Sequence, residues 1–188
     1  MQFEVSSYAK INSFLNILGE RADGYHEIYT HFQLLDLKDT LFFSPSSQNH
    51  AFCDGITKEE NIILKSIKWF NNKFGKNQHF SVTVEKIIPI GAGLGGGSSN
   101  AAATLCFLCD YHGIERKLLD FHEISFELGA DIPIFIFGKS AFASGIGEKI
   151  EEVYCDKSNY ILINPNINIS TKLLFSSKDL IFCDEIDF

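Results

Sequence analysis

Positive charge is scarce in this chain: 16 lysines and arginines stand against 24 aspartates and glutamates, a formal net charge of −8. Such a surface repels polyanions on average, which argues against broad binding to nucleic acid or to anionic membranes. An anionic small ligand therefore needs locally concentrated positive potential. Long apolar runs are also missing. A stretch such as Ile-Pro-Ile-Phe-Ile-Phe at 132–137 falls far short of the roughly 20 residues that span a bilayer. The opening Met-Gln-Phe-Glu-Val has no basic region leading into an apolar run, so no secretory signal is read and a cytoplasmic location is expected. Cysteines are few, odd in number and irregularly spaced, at 53, 106, 109, 155 and 183. That set gives no disulfide framework and fits reduced thiols. Cys106 and Cys109 form a C-x-x-C inside an apolar helical stretch with no second ligand pair, so core packing is expected of them. His31, His50, His79, His112 and His122 have no metal-ligand spacing and no neighbouring nucleophile in the sequence. Surface or helix-face roles, and no transition metal, are expected there.

What is present is a core. The chain has 188 residues, 45% hydrophobic, with 18 phenylalanines, enough for one globular unit or one and a fraction. No repeat, low-complexity tract or Pro/Ser-rich linker divides it, and its pattern is α+β. Short β-type runs fall at 3–9, 11–18, 26–35 and 40–43, with Asp23-Gly24 as a hairpin turn signal. From Asn61 the period changes. Ile63, Ile67, Phe70 and Phe74 recur at three and four residues with lysines and asparagines between them, an amphipathic helix ending near Gly75. Alternation at 80–85 gives a half-buried strand, and Ser98 or Ser99 is a candidate cap for a helix to about Tyr111. Further helices are expected over 117–128 and at Pro133, with strands near 141–144 and 160–164 and a last short helix from Ser170-Thr171.

The strand at 80–85 runs into Pro89-Ile90-Gly91-Ala92-Gly93-Leu94-Gly95-Gly96-Gly97-Ser98-Ser99-Asn100, with five glycines in seven residues. Backbone amides of such a loop and of the helix start can cradle phosphates, the helix dipole adds positive potential, and the hydroxyls of Ser98 and Ser99 can reach a phosphate oxygen or magnesium. No Gly-Lys-Ser/Thr follows, so this is not a Walker A loop. Gly91-x-Gly93-x-x-Gly96 fits the bare dinucleotide pattern, but only Asp110 and Glu115 lie near the ribose position. On glycine content alone, a flexible structural turn is a competing reading.

The segment Gly-Leu-Gly-Gly-Gly-Ser-Ser-Asn-Ala-Ala after Pro-x-Gly resembles the ATP-phosphate motif of the GHMP kinase superfamily. Two further stretches carry the resemblance to the diphosphocytidyl-methylerythritol kinases within it. These are Ala9-Lys10-Ile11-Asn12 with Arg21-Ala22-Asp23-Gly24-Tyr25-His26, and Leu128-Gly129-Ala130-Asp131-Ile132-Pro133 with Gly145-x-Gly147-Glu148. The resemblance implies the superfamily's N-terminal ATP-binding domain, of the ribosomal protein S5 domain 2-like type, over 1–155, with 156–188 opening a truncated C-terminal substrate-side domain. It implies ATP and Mg2+ as cofactors and phosphorylation of the 2-hydroxyl of a cytidine-linked methylerythritol. Asp131 becomes the catalytic carboxylate and Lys10 its charged partner, since an alcohol needs a nearby base to give up its proton during phosphoryl transfer. Pro89, Gly91, Gly93, Leu94, Gly95, Gly96, Gly97, Ser98 and Ser99 line the phosphates, with Ser98 on magnesium. Asn61 and the wall at 86–90 lie at the adenine end. Asn12 contacts the polyol, Tyr25 and His26 the cytosine, and Phe175 with Thr171 closes over the base. On the residues alone, Asp131 reads as a helix cap and 23–26 as an ordinary hairpin.

Superfamily members of this type usually continue for most of another hundred residues, so the resemblance implies that the far wall of the cleft is missing, with turnover reduced and apolar surface exposed for self-association. Two other readings stand beside the leading one: a kinase of mevalonate or homoserine, and a GHMP-fold unit that binds nucleotide or metabolite without turnover.

Overall fold

The structure, a computed structural model, describes residues 1–155, 158–165, 174, 175, 177 and 179–183. Its frame is one long hairpin. Strand β1 (Phe3–Glu20) pairs antiparallel with β2 (His26–Pro45) from Phe3↔Phe43 to Glu20↔His26. The turn is closed by the Arg21 amide donating to the Tyr25 carbonyl at 2.8 Å and the Tyr25 amide donating to Asp23 Oδ1 at 3.1 Å. The four short runs expected here are thus two continuous strands. What broke the sequence pattern is a set of register shifts, between Tyr8 and Lys10, Asn12 and Phe14, and Ile17 and Gly19. A bulge interrupts side-chain alternation without ending the ladder, and it re-aims the side chains beside it.

On its other side β2 serves two partners. Its second half pairs with β4 (Phe80–Glu85) and its first half with β5 (Ala141–Gly145). Short strands β3 (His50–Phe52), parallel to β4, and β6 (Lys149–Glu152), antiparallel to β5, complete a sheet of six strands among the described residues. Helices α1 (Ile62–Phe74) and α2 (Gly96–His112) cover the β2/β4 half. There Leu41, Phe43, Phe80 and Val82 meet Ile63, Ile67, Phe70, Leu105 and Leu108, all buried. The Phe43 and Phe107 rings stack at 4.2 Å. Cys109 is buried in this core and Cys106 packs against it, as the apolar context of the C-x-x-C predicts. No described helix is long and apolar enough to cross a membrane.

Three expectations are corrected. The helix over 117–128 is a 3-10 turn at Arg116–Leu118 and a separate α3 (Phe121–Glu127), because Asp120 turns its carboxylate onto the amides of His122 and Glu123 and starts a new helix. Helix α2 starts at Gly96, before both serines, with Gly95 as a left-handed N-cap and no side-chain cap bond. Residues 160–164 form no strand despite their β-type composition. Ile161 and Ile163 are 92% and 89% exposed, so burial does not fix them on a sheet. The helix expected at Ser170-Thr171 lies outside the described residues.

Candidate active site

Lys10 sits where the β1 bulge meets the glycine loop. Its amide donates to the Leu94 carbonyl at 3.0 Å, so strand and loop are joined by backbone. Its side chain is 6% exposed, with Nζ 2.6 Å from Asn12 Oδ1 and 3.2 Å from Asp131 Oδ2. The Phe32 ring lies 5.4 Å from the ammonium. A buried ammonium needs charge and acceptors around it, and these groups supply them.

Asp131 is the N-cap residue of α4 (Ile132–Phe137), which has proline in its first turn. Its side chain makes no cap hydrogen bond. The capping reading is therefore set aside: the carboxylate, 38% exposed, turns to Lys10 and keeps an open side. Asn12, expected to face a ligand with both ends of its amide, is engaged within the protein. It accepts from Lys10 and donates to Thr30 Oγ1 at 2.8 Å, and Thr30 donates in turn to the Phe14 carbonyl at 2.6 Å. Asn12 thus fixes the ammonium.

The glycine loop closes over this pair. Gly95 has φ +70°, and a Cβ there would lie 2.6 Å from Phe135 Cζ and 3.2 Å from Lys10 Cε. Only glycine fits such an approach in the left-handed region. Beneath Gly96, Lys86 Nζ meets Asp39 Oδ2 at 2.7 Å and the Ile88 carbonyl at 2.8 Å, while Asp39 Oδ1 accepts from the amides of Ile87 and Ile88. Asp39 is fully buried. With its amide nitrogen donating, Asn100 reaches Ser7 Oγ, the Gly96 carbonyl and Asp39 Oδ2 at 2.7, 3.2 and 3.1 Å. This buried ion pair, which sequence reasoning missed, braces the path from β4 into the loop. The two serines separate: Ser99 is buried and takes a hydrogen bond from Ser7 Oγ at 2.7 Å, whereas Ser98 is half-buried. Pro89 is half-buried, Gly91, Gly93 and Gly97 are exposed, and Leu94 is buried beneath the loop with Ala9 and Ile88.

Asn61 caps α1, its Oδ1 accepting from the Ile63 amide at 3.0 Å. The residue is buried, yet its Nδ2 has no hydrogen-bond partner. The loop that leads toward it abuts the glycine loop, since a Cβ on Gly55 would lie 3.3 Å from Ile90 Cδ1.

The aromatic residues gather at the hairpin end. The His26 ring lies 5.2 Å from Phe175 and 6.3 Å from Phe182, so the structure joins 26 and 175 across the chain. Tyr25 meets Phe126 of α3 edge-on at 4.9 Å, a partner with no local signal at residues 23–26. Arg21 clasps Asp23 and Glu27. The Arg21 guanidinium hydrogen-bonded to Asp23 lowers that carboxyl's pKa. Thr171 lies outside the described residues.

The GHMP kinases N terminal domain model matches residues 61–139. Over 181 residues the chain is 47% identical to a 4-diphosphocytidyl-2-C-methyl-D-erythritol kinase of Francisella tularensis subsp. holarctica, covering 93% of this chain and 66% of the relative. It is 45% identical over 181 residues to the kinase of that name from Acinetobacter baylyi, covering 94% and 65%. Its fold matches a crystal structure of 4-(cytidine 5'-diphospho)-2C-methyl-D-erythritol kinase with TM-score 0.72 and 31% identity, over 92% of this chain and 63% of that one. The chain thus spans just under two thirds of the relatives' length, and its motifs, its fold and these likenesses agree: it belongs to the 4-diphosphocytidyl-2-C-methyl-D-erythritol kinase family of GHMP kinases.

Proposed function

We propose that this chain carries the machinery for ATP-dependent phosphorylation of the 2-hydroxyl of 4-diphosphocytidyl-2-C-methyl-D-erythritol, on the methylerythritol phosphate route to isoprenoid precursors. The observation that carries the reading is the Lys10–Asp131 pair at 3.2 Å, held by backbone against the glycine loop. Asp131 accepts the hydroxyl proton as the oxygen attacks the γ-phosphorus, the bond to the bridging oxygen breaks, and ADP leaves. Lys10 orients the hydroxyl and offsets charge on the transferred group, as a fixed, buried ammonium can without reorganising.

Residues 91–97 and the start of α2 offer amides and a helix dipole to the phosphates. Ser98, a less buried residue than Ser99, would reach the magnesium that travels with ATP, an ion that takes oxygen ligands and keeps several waters. The orphaned Nδ2 of Asn61 suits an acceptor on the adenine. Tyr25, His26 and Phe175 would hold the cytosine, and Thr171 would add a polar contact. In this reading 1–155 form the nucleotide-binding domain and 156–188 open the substrate-side domain. The test is ADP release with the cytidine compound, mevalonate and homoserine as acceptors, using the chain extended to the relatives' length. The cytidine compound alone should support turnover. Preference for either of the others would overturn the reading.

A further inference from the structure

The sequence shows no nucleophile beside His31, but the fold supplies two partners. His31 Nε2 lies 3.1 Å from Cys155 Sγ, and His31 Nδ1 lies 2.5 Å from Ser13 Oγ. Ser13 is the extra residue of the bulge between Asn12 and Phe14, His31 stands on β2 opposite Phe14, and Cys155 follows β6. The three come from segments far apart in sequence. Successive strand residues face opposite sides, so His31 faces away from buried Thr30, which holds Asn12 in the candidate active site. The cluster is therefore separate from that site.

A thiol within hydrogen-bond reach of an imidazole, itself oriented by a third group, is the arrangement of an activated nucleophile. Ser13 Oγ also lies 3.5 Å from the His31 carbonyl as a donor, which leaves its lone pairs to accept from Nδ1–H. That tautomer turns the free Nε2 lone pair to the thiol. The Phe14 ring stacks near the imidazole at 6.4 Å and Phe142 lies at 5.2 Å. Burial pushes the His31 pKa down, so the ring is a base, not a cation, at neutral pH. Burial pushes the thiols of Cys53 and Cys106 up and that of Cys109 up to about 11. Among the described residues none of these three donates to or accepts from an imidazole, and Cys53 Sγ turns instead to the Asp54 carbonyl.

We propose that Cys155 is a modification site for soft carbon electrophiles of the α,β-unsaturated carbonyl class, with His31 as its base and Ser13 as the group that orients His31. The thiol proton passes to Nε2 as sulfur bonds the β-carbon and the carbon–carbon π bond breaks. The imidazolium then returns the proton to the α-carbon, so atoms balance with no leaving group and no outside oxidant.

The test uses acrylamide at pH 7 on the whole folded chain, with labelling of each cysteine followed by peptide mass spectrometry. Cys155 should label at least about tenfold faster than Cys53 and Cys183, the kind of gain expected when a base assists a thiol. His31→Gln should bring it to within about twofold of those two while leaving their rates and the melting temperature unchanged. Equal rates for Cys155 and Cys183 in the unmutated chain would overturn the proposal, and that comparison needs no variant to fold. So would a His31→Gln protein in which Cys155 still labels fast.

Discussion

Gly95 carries two constraints at once, a left-handed backbone and a contact with Phe135 and Lys10. Gly95→Ala should therefore cost about 2 to 4 kcal/mol of stability, from backbone strain and overpacking together, read by urea denaturation, and should weaken nucleotide binding. An alanine variant as stable as the original would show that the loop gives way easily. Tyr25 invites a paired test. If it stacks on cytosine, Tyr25→Ala should weaken binding of CDP-type ligands by about 1 to 3 kcal/mol. Because Phe126 holds that ring edge-on, Phe126→Ala should produce part of the same loss. Unchanged CDP affinity in calorimetry for both would return residues 23–26 to the role of a plain turn. Part of this candidate site was legible in the sequence. Glycine density at 91–97 points to phosphates by its own chemistry, whereas Lys10 and Asp131 stand out only through the resemblance of their motifs to those of GHMP kinases, Asp131 reading by itself as a helix cap. Thr30, Phe32, Phe126 and Phe135 were not legible, since each acts by touching a residue far away in the chain, and Asn12 was read as facing a ligand because nothing local shows that Lys10 and Thr30 take its amide.

The elements that hold the site can be tested separately from it. Asn61 caps α1 through Oδ1 and leaves Nδ2 unpartnered, so Asn61→Ala should cost about 1 kcal/mol of stability and also weaken ATP binding. Asn61→Asp should restore the cap but not the affinity, because a carboxylate has no N–H to give. An aspartate variant with normal ATP affinity would separate Asn61 from the nucleotide. The buried Asp39–Lys86 pair makes a larger demand. Asp39→Ala strands the ammonium and the amides of Ile87 and Ile88, and should destabilise by about 3 to 5 kcal/mol. A change under about 1 kcal/mol would remove the pair from the loop's support. Helix α1 and strand β4 were readable because each has one buried face and hence a clean period. The long hairpin was not, since bulges scramble alternation, and 160–164 misled because strand-forming composition does not by itself supply a paired neighbour.

Across the whole molecule, β2 is the hub. Its first half carries β5 and its second half β4, while β1 runs along its entire opposite edge. That arrangement brings residues 10–12, the loop at 91–97 and Asp131 to one point, although they are separated by most of the chain. We propose that phosphoryl transfer takes place at this point, with Asp131 as the base. The decisive experiment is steady-state kcat for the cytidine substrate in the chain extended to the relatives' length, with and without Asp131→Asn, beside the ATP dissociation constant of both proteins. In the asparagine variant kcat should fall by about a hundredfold or more with ATP affinity nearly unchanged, the loss expected of a removed general base. A near-normal kcat in the asparagine variant would contradict it.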